Sequence, residues 1–181
     1  MTEMLDDLLT LNRMEAHRLT LQLASLDLAG HLRSVIDEIR MGDRSAHPIE
    51  LQVADLAGPI TSDAGLLHHI FSNLLSNAVR YSPAGAPITV SVRADAQHVR
   101  ITVEDRGIGV PAADLARIFE PFERGSKVGH IKGTGLGLNI VKRMIDLLGG
   151  AVSVESLSAA GTRFVVELPY RAVAPTAAPH A

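Results

Sequence analysis

The chain has 181 residues, and its 17 Lys and Arg against 20 Asp and Glu leave a formal net charge of −3. The length suits one domain with a sizeable core and one appended element, and the charge excludes nucleic-acid binding through a strongly basic surface. The absence of cysteine excludes disulfides and thiolate metal sites. No apolar run approaches the roughly 20 residues of a membrane-spanning helix, and the first residues lack the features of a signal peptide. We therefore expect a soluble, cytoplasmic segment without membrane contact.

The first predicted element is an amphipathic helix of about four turns. Its apolar residues recur at intervals of three and four, at Met4, Leu5, Leu8, Leu9, Leu11 and Met14. The pattern leaves open whether this stripe packs on its own domain or against a second helix in a hairpin or coiled coil. Residues 20–26 then look extended, and Asp27 is placed to cap a second helix that ends near Gly42.

Alternating apolar residues predict five strands. They cover residues 49–53, 88–92 and 99–103, followed by a terminal hairpin at 152–156 and 162–168. Strands joined by hairpins favour an antiparallel or mixed sheet. Helices on one face of that sheet would give a two-layer α+β architecture.

Three further helices are predicted between these strands. Asp63 caps a long helix that runs to about Tyr81, where a Ser-Pro pair stops it. A short helix is predicted over residues 112–119, and a long one over 136–148 that a Gly-Gly pair ends. Residues 120–135 carry glycines and basic residues with little periodicity, which is typical of a long loop.

The long helix after Asp63 carries amides that a plain core helix would not favour. His69, Asn73 and Asn77 are spaced by four and share one face, with Arg80 three residues further on. Asn is a poor residue inside a helix because its side chain competes for backbone hydrogen bonds. A side-chain carbonyl can serve as a neutral magnesium ligand beside a phosphate site. The simpler interpretation of the same face is that it is only solvated.

The first glycine loop, D-R-G-I-G at residues 105–109, directly follows a predicted strand. A carboxylate at Asp105 can accept a hydrogen bond from an exocyclic amine such as that of adenine. Gly107 and Gly109 allow close backbone approach. The loop lacks the alternating Asp and Asn ligands of a calcium loop, and an ordinary turn after a strand remains the alternative.

The second glycine loop, K-G-T-G-L-G-L, lies between the 120–135 segment and the last long helix. Its spacing is neither that of a P-loop nor that of a dinucleotide fingerprint. Gly133, Gly135 and Gly137 nevertheless leave amides exposed, and the helix that begins near Leu136 directs its positive end toward whatever binds there. The loop therefore suits a phosphate group.

Four blocks in one order resemble the N, G1, F and G2 boxes of the histidine protein kinases. They are N-L-L-S-N-A at 73–78, D-R-G-I-G at 105–109, F-E-P-F-E-R at 119–124 and G-T-G-L-G-L at 133–138, and G-T-R-F at 161–164 resembles the block that closes the catalytic domain. The resemblance implies a Bergerat-type α/β sandwich, with a mixed sheet and helices on one face, that binds ATP and Mg²⁺.

The resemblance also implies roles for individual residues. Asn77 resembles the magnesium-ligating Asn and Asn73 a second contact, with Arg80 facing the phosphates, Tyr81 near the base and Asp105 reading adenine. Phe119 and Phe122 resemble anchors of a lid, whose cations Arg124, Lys127 and Lys132 would meet the γ-phosphate. The remaining implied nucleotide-binding residues are Gly107, Gly109, Gly133, Thr134, Gly135, Leu136, Gly137, Leu138 and Thr162. Asn73, Arg124 and Lys132 are the implied catalytic residues.

One departure from the family concerns the phosphoacceptor. None of the eight histidines is followed by the acidic and basic residues of the family's acceptor motif, while residues 8–19 resemble the end of the second helix of its dimerisation hairpin. Our hypothesis divides the chain into a hairpin remnant at 1–22, a catalytic ATP-binding domain at 23–170 and a disordered tail at 171–181. The implied partners are an acceptor hairpin and, indirectly, a response-regulator receiver domain. The parent protein is expected to be a homodimer, with or without a membrane anchor, and this fragment mostly a monomer.

Asn73 favours transfer over hydrolysis. ATP-hydrolysing relatives of the implied fold place a Glu one turn before the magnesium Asn, where it can activate water. An amide at that position has no basic function, which favours transfer to a nucleophile supplied elsewhere. Two alternatives stay open, namely a regulatory module similar to the anti-sigma serine kinases and an ATP-binding shell without transfer activity.

Overall fold

A computed structural model of the protein describes residues 20–44, 46–123, 134–157 and 161–172. The predicted helix over 4–14 and residues 173–181 of the predicted tail lie outside these ranges. The first two residues of that tail are ordered, contrary to the prediction, since Arg171 is bridged to Thr61 and Ala172 is buried. The elements are, in chain order, β1 Ala24–Leu26, α1 Leu28–Gly42, β2 Ile49–Ala54, β3 Ile60–Ser62, α2 Ala64–Tyr81, β4 Ile88–Ala94, β5 His98–Glu104, α3 Gly137–Leu147, β6 Ala151–Ser156 and β7 Thr162–Pro169. None of the described helices is both long and apolar enough to cross a membrane.

The main sheet has five strands in the order β2-β4-β5-β7-β6. β2 runs parallel to β4, and every other neighbouring pair is antiparallel, so the predicted mixed sheet is confirmed. β1 and β3 form a separate two-stranded antiparallel sheet. β3 was not predicted from the sequence, because three residues are too few to show an alternating pattern.

β3 also joins the segment that leads into the domain to the segment that leaves it. On one side Ser25 of β1 is the register partner of Thr61. On the other side Thr61 donates its backbone N–H to the carbonyl of Tyr170 (3.1 Å), and its carbonyl accepts from the N–H of Ala172 (2.9 Å). The two segments therefore lie on opposite sides of the same short strand.

The helices cover one face of the sheet and bury an apolar core. The largest fully buried side chains are Phe71, Leu28, Leu32, Ile60, Leu67, Ile70, Leu74, Leu75, Ile88, Ile101, Leu136 and Ile140. The opposite face is polar and carries cross-strand ion pairs such as Arg100 with Glu167 (2.8 Å) and Arg163 with Glu104 (2.9 Å). The two-layer α+β architecture predicted from the sequence is confirmed.

The helix predicted over residues 112–119 is wrong, since the structure has successive turns there. The N–H groups of Asp114, Arg117 and Glu120 bond to carbonyls three residues earlier, and only Ile118 bonds four residues back, to Asp114. Eight residues offer few four-residue hydrogen bonds to offset the cost of helix nucleation. The local pattern of apolar residues was therefore not sufficient to form an α-helix.

Asp63 fixes the start of α2, the helix that carries the predicted amide face. Its carboxylate, 7 % exposed, accepts from the N–H groups of Gly65 (2.9 Å), Leu66 (3.1 Å) and Gln22 (2.7 Å). The carboxylate of Asp27, which caps α1, accepts from one described N–H group, that of Gly30. Asp63 thus both caps the helix and ties the incoming segment to it.

We expect Asp63→Ala to lower the free energy of unfolding by about 2 kcal/mol, because it removes a cap and leaves a third donor without its partner. Asp27→Ala, the matched control, should lower it by about 1 kcal/mol. Urea unfolding followed by circular dichroism measures both values. Equal losses in the two variants would contradict the double role of Asp63.

Candidate functional site

The two predicted amides of α2 lie next to each other on its half-buried side. The Nδ2 group of Asn77 donates to Oδ1 of Asn73 across 3.1 Å, one helical turn away. The opposite side of α2 is buried in the core at Leu67, Ile70 and Leu74. The bond uses an N–H of Asn77, so the side-chain carbonyl oxygen of Asn77 takes no part in it.

The N-terminus of α3 approaches α2 at Asn73. A Cβ added at Gly137 would collide with Nδ2 of Asn73 and lie 3.1 Å from its Oδ1, so only glycine permits this approach. α3 has no side-chain cap at its start, although the N–H of Leu136 bonds to Oγ1 of Thr134 (3.2 Å). An uncapped helix N-terminus presents donors and a positive dipole, and here both lie beside the Asn73–Asn77 pair.

The carboxylate of Asp105 is held at the end of β5 and is only 4 % exposed. Its Oδ1 accepts from the backbone N–H groups of Gly107 (2.7 Å) and Thr162 (3.1 Å). Burial raises the pKa of the Asp105 carboxyl above its ordinary value of 3.8, and these hydrogen bonds oppose that rise. The two named donors converge on one carboxylate oxygen, so the group is fixed in orientation.

The first glycine loop packs against the end of α2. A Cβ at Gly107 would lie 2.5 Å from the carbonyl oxygen of Tyr81, and the N–H of Ile108 donates to that same oxygen (3.2 Å). Gly161 has a φ of +123° and lies against the backbone carbonyl of Asp105, so a Cβ added at Gly161 would collide with that carbonyl oxygen. Glycine is therefore required on both sides of the loop.

α2 thus touches both glycine segments, at points about 12 Å apart along its axis. Asn73 contacts the start of α3, and the carbonyl of Tyr81 contacts the 105–109 loop. The region between these two contacts, called the cleft below, has a buried acceptor at one end and helix-terminus donors at the other. α2 and the described part of the second glycine loop therefore lie on the same side of the molecule.

The aromatic segment, residues 119–122, packs against the start of α3. The Phe119 and Phe164 rings meet edge to face at 6.4 Å, and the N–H of Phe122 donates to the carbonyl of Gly135 (3.0 Å). Phe122 has a φ of +63° and is 66 % exposed, a strained conformation for a bulky residue. Its ring is thus presented to solvent next to the glycine turn.

Asn139 is a site residue that the sequence analysis missed. It is buried, and its Nδ2 donates to the carbonyl of Phe119 (2.9 Å), while its Oδ1 has no hydrogen-bond partner among the residues that the structure describes. An amide in the first turn of an otherwise apolar helix face was the available signal. Asn139 ties the aromatic segment to α3.

The remaining predicted site residues divide into three groups. Tyr81 and Gly109 lie at the contact between α2 and the first glycine loop, and Thr134 bonds to the start of α3. Leu138 packs partly buried against the core, and Arg80 is exposed in the last turn of α2. The side chain of Leu136 is fully buried in the core, so only its backbone can face a ligand. Four predicted residues lie outside the described ranges, namely Arg124, Lys127, Lys132 and Gly133.

The raised pKa of Asp105 has a consequence for stability. Because the folded state holds this proton more tightly than the unfolded state does, the contribution of Asp105 to stability is full below pH 3.8 and is lost as pH rises through the folded-state value. We expect Asp105→Asn to remove this loss of stability at higher pH. Its free energy of unfolding at pH 7 should equal or exceed that of the wild type, with the difference disappearing near pH 3.

Chemical denaturation at half-unit pH steps from 3 to 8 measures this difference. Asp95→Asn is the matched control, because its exposed carboxyl has a lowered pKa through hydrogen bonds from Gln97 and His98 and should show the opposite sign. A loss of stability in Asp105→Asn that grows with pH would contradict the burial argument.

Comparisons of the sequence with known proteins identify relatives of this chain. Residues 62–172 match the sequence model of the family described as histidine kinase-, DNA gyrase B-, and HSP90-like ATPase. The chain is 36 % identical over 168 residues to the alginate biosynthesis sensor protein KinB of Pseudomonas aeruginosa. It is 32 % identical over 170 residues to the histidine protein kinase DivJ of Caulobacter vibrioides. Each alignment covers 92 % of this chain and 28 % of the relative.

Two solved structures share the fold. The full-length ShkA structure in complex with AMPPNP superimposes with a TM-score of 0.82 at 31 % identity, over 96 % of this chain and 36 % of that one. The mycobacterial sensor histidine kinase MprB gives a TM-score of 0.73 at 27 % identity, over 83 % of this chain and 100 % of that one. The resemblance stated from the four sequence blocks is confirmed.

Proposed function

Since this chain belongs to the family of histidine kinase-, DNA gyrase B- and HSP90-like ATPases, we propose that it is the catalytic ATP-binding domain of a sensor histidine kinase. In this role it transfers the γ-phosphoryl group of ATP to a histidine on a helical hairpin. The observation that carries the proposal is the meeting of the Asn73–Asn77 pair with the uncapped N-terminus of α3, at Gly137. The chain spans about 28 % of the length of the curated relatives compared above.

The adenine is assigned to the Asp105 end of the cleft. The carboxylate is a buried acceptor in a fixed orientation, which suits the exocyclic amine of adenine and not the carbonyl that guanine has there. Ile108 is an exposed apolar residue of the same loop, and Thr162 and Tyr81 border it. The AMPPNP bound in the similar ShkA structure supports an adenine nucleotide as the ligand.

The phosphates and Mg²⁺ are assigned to the other end of the cleft. Mg²⁺ prefers oxygen ligands, keeps several waters and takes negative charge from bound phosphates, so a neutral amide oxygen of Asn77 fits it, with Asn73 as a second contact. When bound, Mg²⁺ would neutralise charge on the transferred group. The backbone of residues 134–137 and the dipole of α3 would bind the phosphate oxygens.

The chain's own residues favour transfer over hydrolysis. Asn73 occupies the position where a general base would activate water, and an amide cannot take that proton. The residues therefore bind and orient the nucleotide, while the P–O bond to the leaving ADP breaks and a P–N bond to an acceptor imidazole forms. Arg124, Lys127 and Lys132 remain the predicted cations for the γ-phosphate, with Arg80 facing the same group.

The proposal extends to the organisation of the parent protein. Residues 1–22 would be the end of a dimerisation hairpin, 23–170 the catalytic domain and 171–181 a tail. The parent would be a cytoplasmic or membrane-anchored homodimer whose phosphohistidine serves a response-regulator receiver domain. An anti-sigma-type serine kinase and a shell without transfer activity are the competing functions, and the sensor kinases among the relatives favour transfer to histidine.

Two measurements test the function. Calorimetric titration with AMPPNP, with and without Mg²⁺, should show binding that the metal strengthens. Incubation with γ-labelled ATP should leave the chain itself unlabelled and place acid-labile label on an added hairpin protein that carries an acceptor histidine. Robust label on this chain alone, or none on any hairpin despite nucleotide binding, would refute the proposed transfer.

A further inference from the structure

A buried Asp–His pair lies outside the cleft, between the end of α1 and the start of β2. The side chains of Asp43 and His47 are only 3 % and 1 % exposed. Oδ2 of Asp43 lies 2.8 Å from Nδ1 of His47 and also accepts from the backbone N–H of His47 (2.7 Å). Buried polar groups are costly unless they are hydrogen-bonded, so a specific role is expected for the pair.

The second ring nitrogen of His47 reaches the turn that follows α2. Its Nε2 lies 3.1 Å from the carbonyl oxygen of Pro83, and the same oxygen accepts from the N–H of Ala86 (3.0 Å). A carbonyl only accepts hydrogen bonds, so Nε2 of His47 must carry a proton. The turn at residues 82–86 is therefore held by a side chain that is 36 residues away in sequence.

That turn is continuous with one wall of the cleft. Pro83 is two residues beyond Tyr81, whose carbonyl accepts from the N–H of Ile108 and is packed against Gly107. The path from His47 to the glycine loop thus consists of one side-chain hydrogen bond, two residues of backbone and one backbone hydrogen bond. Displacement of Pro83 would move the Tyr81 carbonyl that the loop rests on.

We propose that His47, oriented by Asp43, is a positioning residue for the nucleotide, because it fixes the Pro83 turn and through it the wall on which the 105–109 loop rests. The inference depends on the proposed function only in naming the nucleotide as the ligand. Within the described ranges, none of the hydrogen bonds of the pair given above goes to a residue assigned to the ligand. It acts on Asp105 through the backbone of Tyr81, Gly107 and Ile108.

His47→Gln, made in the full chain, tests the proposal, since both N–H groups of glutamine are on one nitrogen and cannot replace donors on the two separate ring nitrogens of histidine. We expect the affinity for AMPPNP with Mg²⁺ to fall about 2- to 10-fold, as for the loss of one hydrogen bond. The amide of Ile108 should exchange faster with solvent, and by a larger factor than the amide of Val166 in the centre of the sheet. A general loss of stability would instead raise both exchange rates alike.

Two further variants separate the effect of position from other effects. Asp43→Asn offers an amide to Nδ1 of His47 and leaves Nε2 able to donate to Pro83, so it should keep most of the Ile108 protection that His47→Gln loses. His98→Gln makes the same substitution at an exposed histidine and should change neither readout. Unchanged Ile108 exchange and unchanged affinity in His47→Gln would overturn the proposal.

One measurement uses the unaltered chain and therefore does not depend on whether a variant folds. The ring N–H at Nε2 of His47 should be visible in slow exchange by NMR because it is buried and bonded, and its absence would overturn the proposal. If the unaltered chain fails to bind AMPPNP, the proposed function fails on its own. The exchange of the Ile108 amide then still decides whether His47 holds the loop.

Discussion

Asn77→Ala is expected to reduce the affinity for AMPPNP in the presence of Mg²⁺ by at least roughly 100-fold, since even residues that only orient metal ligands change metal affinity by about 10- to 100-fold. The substitution removes the proposed ligand oxygen and also the N–H that bonds to Asn73. Without Mg²⁺ the affinity should change little, because the adenine contacts at Asp105 are intact. Calorimetric titration under both conditions measures the difference.

Stability does not confound this test. Alanine is more favourable than asparagine inside a helix, so the α2 helix of Asn77→Ala should not be weakened. Ser76→Ala changes the adjacent polar residue of α2, about 100° around the helix, and should bind as the wild type does. Wild-type affinity of Asn77→Ala in the presence of Mg²⁺ would rule out this amide as a metal ligand.

Gly137→Ala is expected to lower Mg²⁺-dependent nucleotide affinity by roughly 10- to 100-fold, the range seen when a liganding group loses its orienting partner. The added methyl group would collide with Nδ2 of Asn73 and crowd the whole amide, which must then rotate away from Asn77. Gly137 is the first residue of α3, where alanine is a better helix former than glycine. We therefore expect affinity to fall without a loss of thermal stability.

A double-mutant cycle tests the stated cause of that loss. In an Asn73→Ala background the collision partner is gone, so Gly137→Ala should have little further effect, and the two changes should be strongly non-additive. Gly42→Ala is the matched control, because no atom lies within 4 Å of its added Cβ. Additive losses in the cycle would mean that Gly137 acts on the nucleotide in some other way.

The parts of the fold that were predictable from the sequence are those with local causes. Asp27 and Asp63 cap their helices through N–H groups two or three residues away, and the alternating strands bury one side chain in two. β3 was missed because three residues are too few to show an alternating pattern. The turns at 112–119 were misassigned because eight residues offer few four-residue hydrogen bonds to offset the cost of helix nucleation.

The residues of the candidate site also divide into those with local causes, which were predictable, and those with distant partners, which were not. Asn73, Asn77 and Asp105 were identifiable because an amide inside a helix and a carboxylate before a glycine loop are locally unfavourable choices. Asn139 and the bond from His47 to Pro83 were not, because what they contact lies 20 and 36 residues away. Local patterns indicate which residues bind the ligand more readily than which residues hold those residues in place.

The arrangement around β3 brings the two ends of the described unit close together. The incoming strand and the outgoing residues 170–172 flank the same three residues, so these two ends lie only two strand spacings apart, about 10 Å. Compact units with adjacent termini tolerate transplantation between longer chains. A chimaera that exchanges this unit therefore needs to preserve the geometry of one small β-sheet, rather than of two remote junctions.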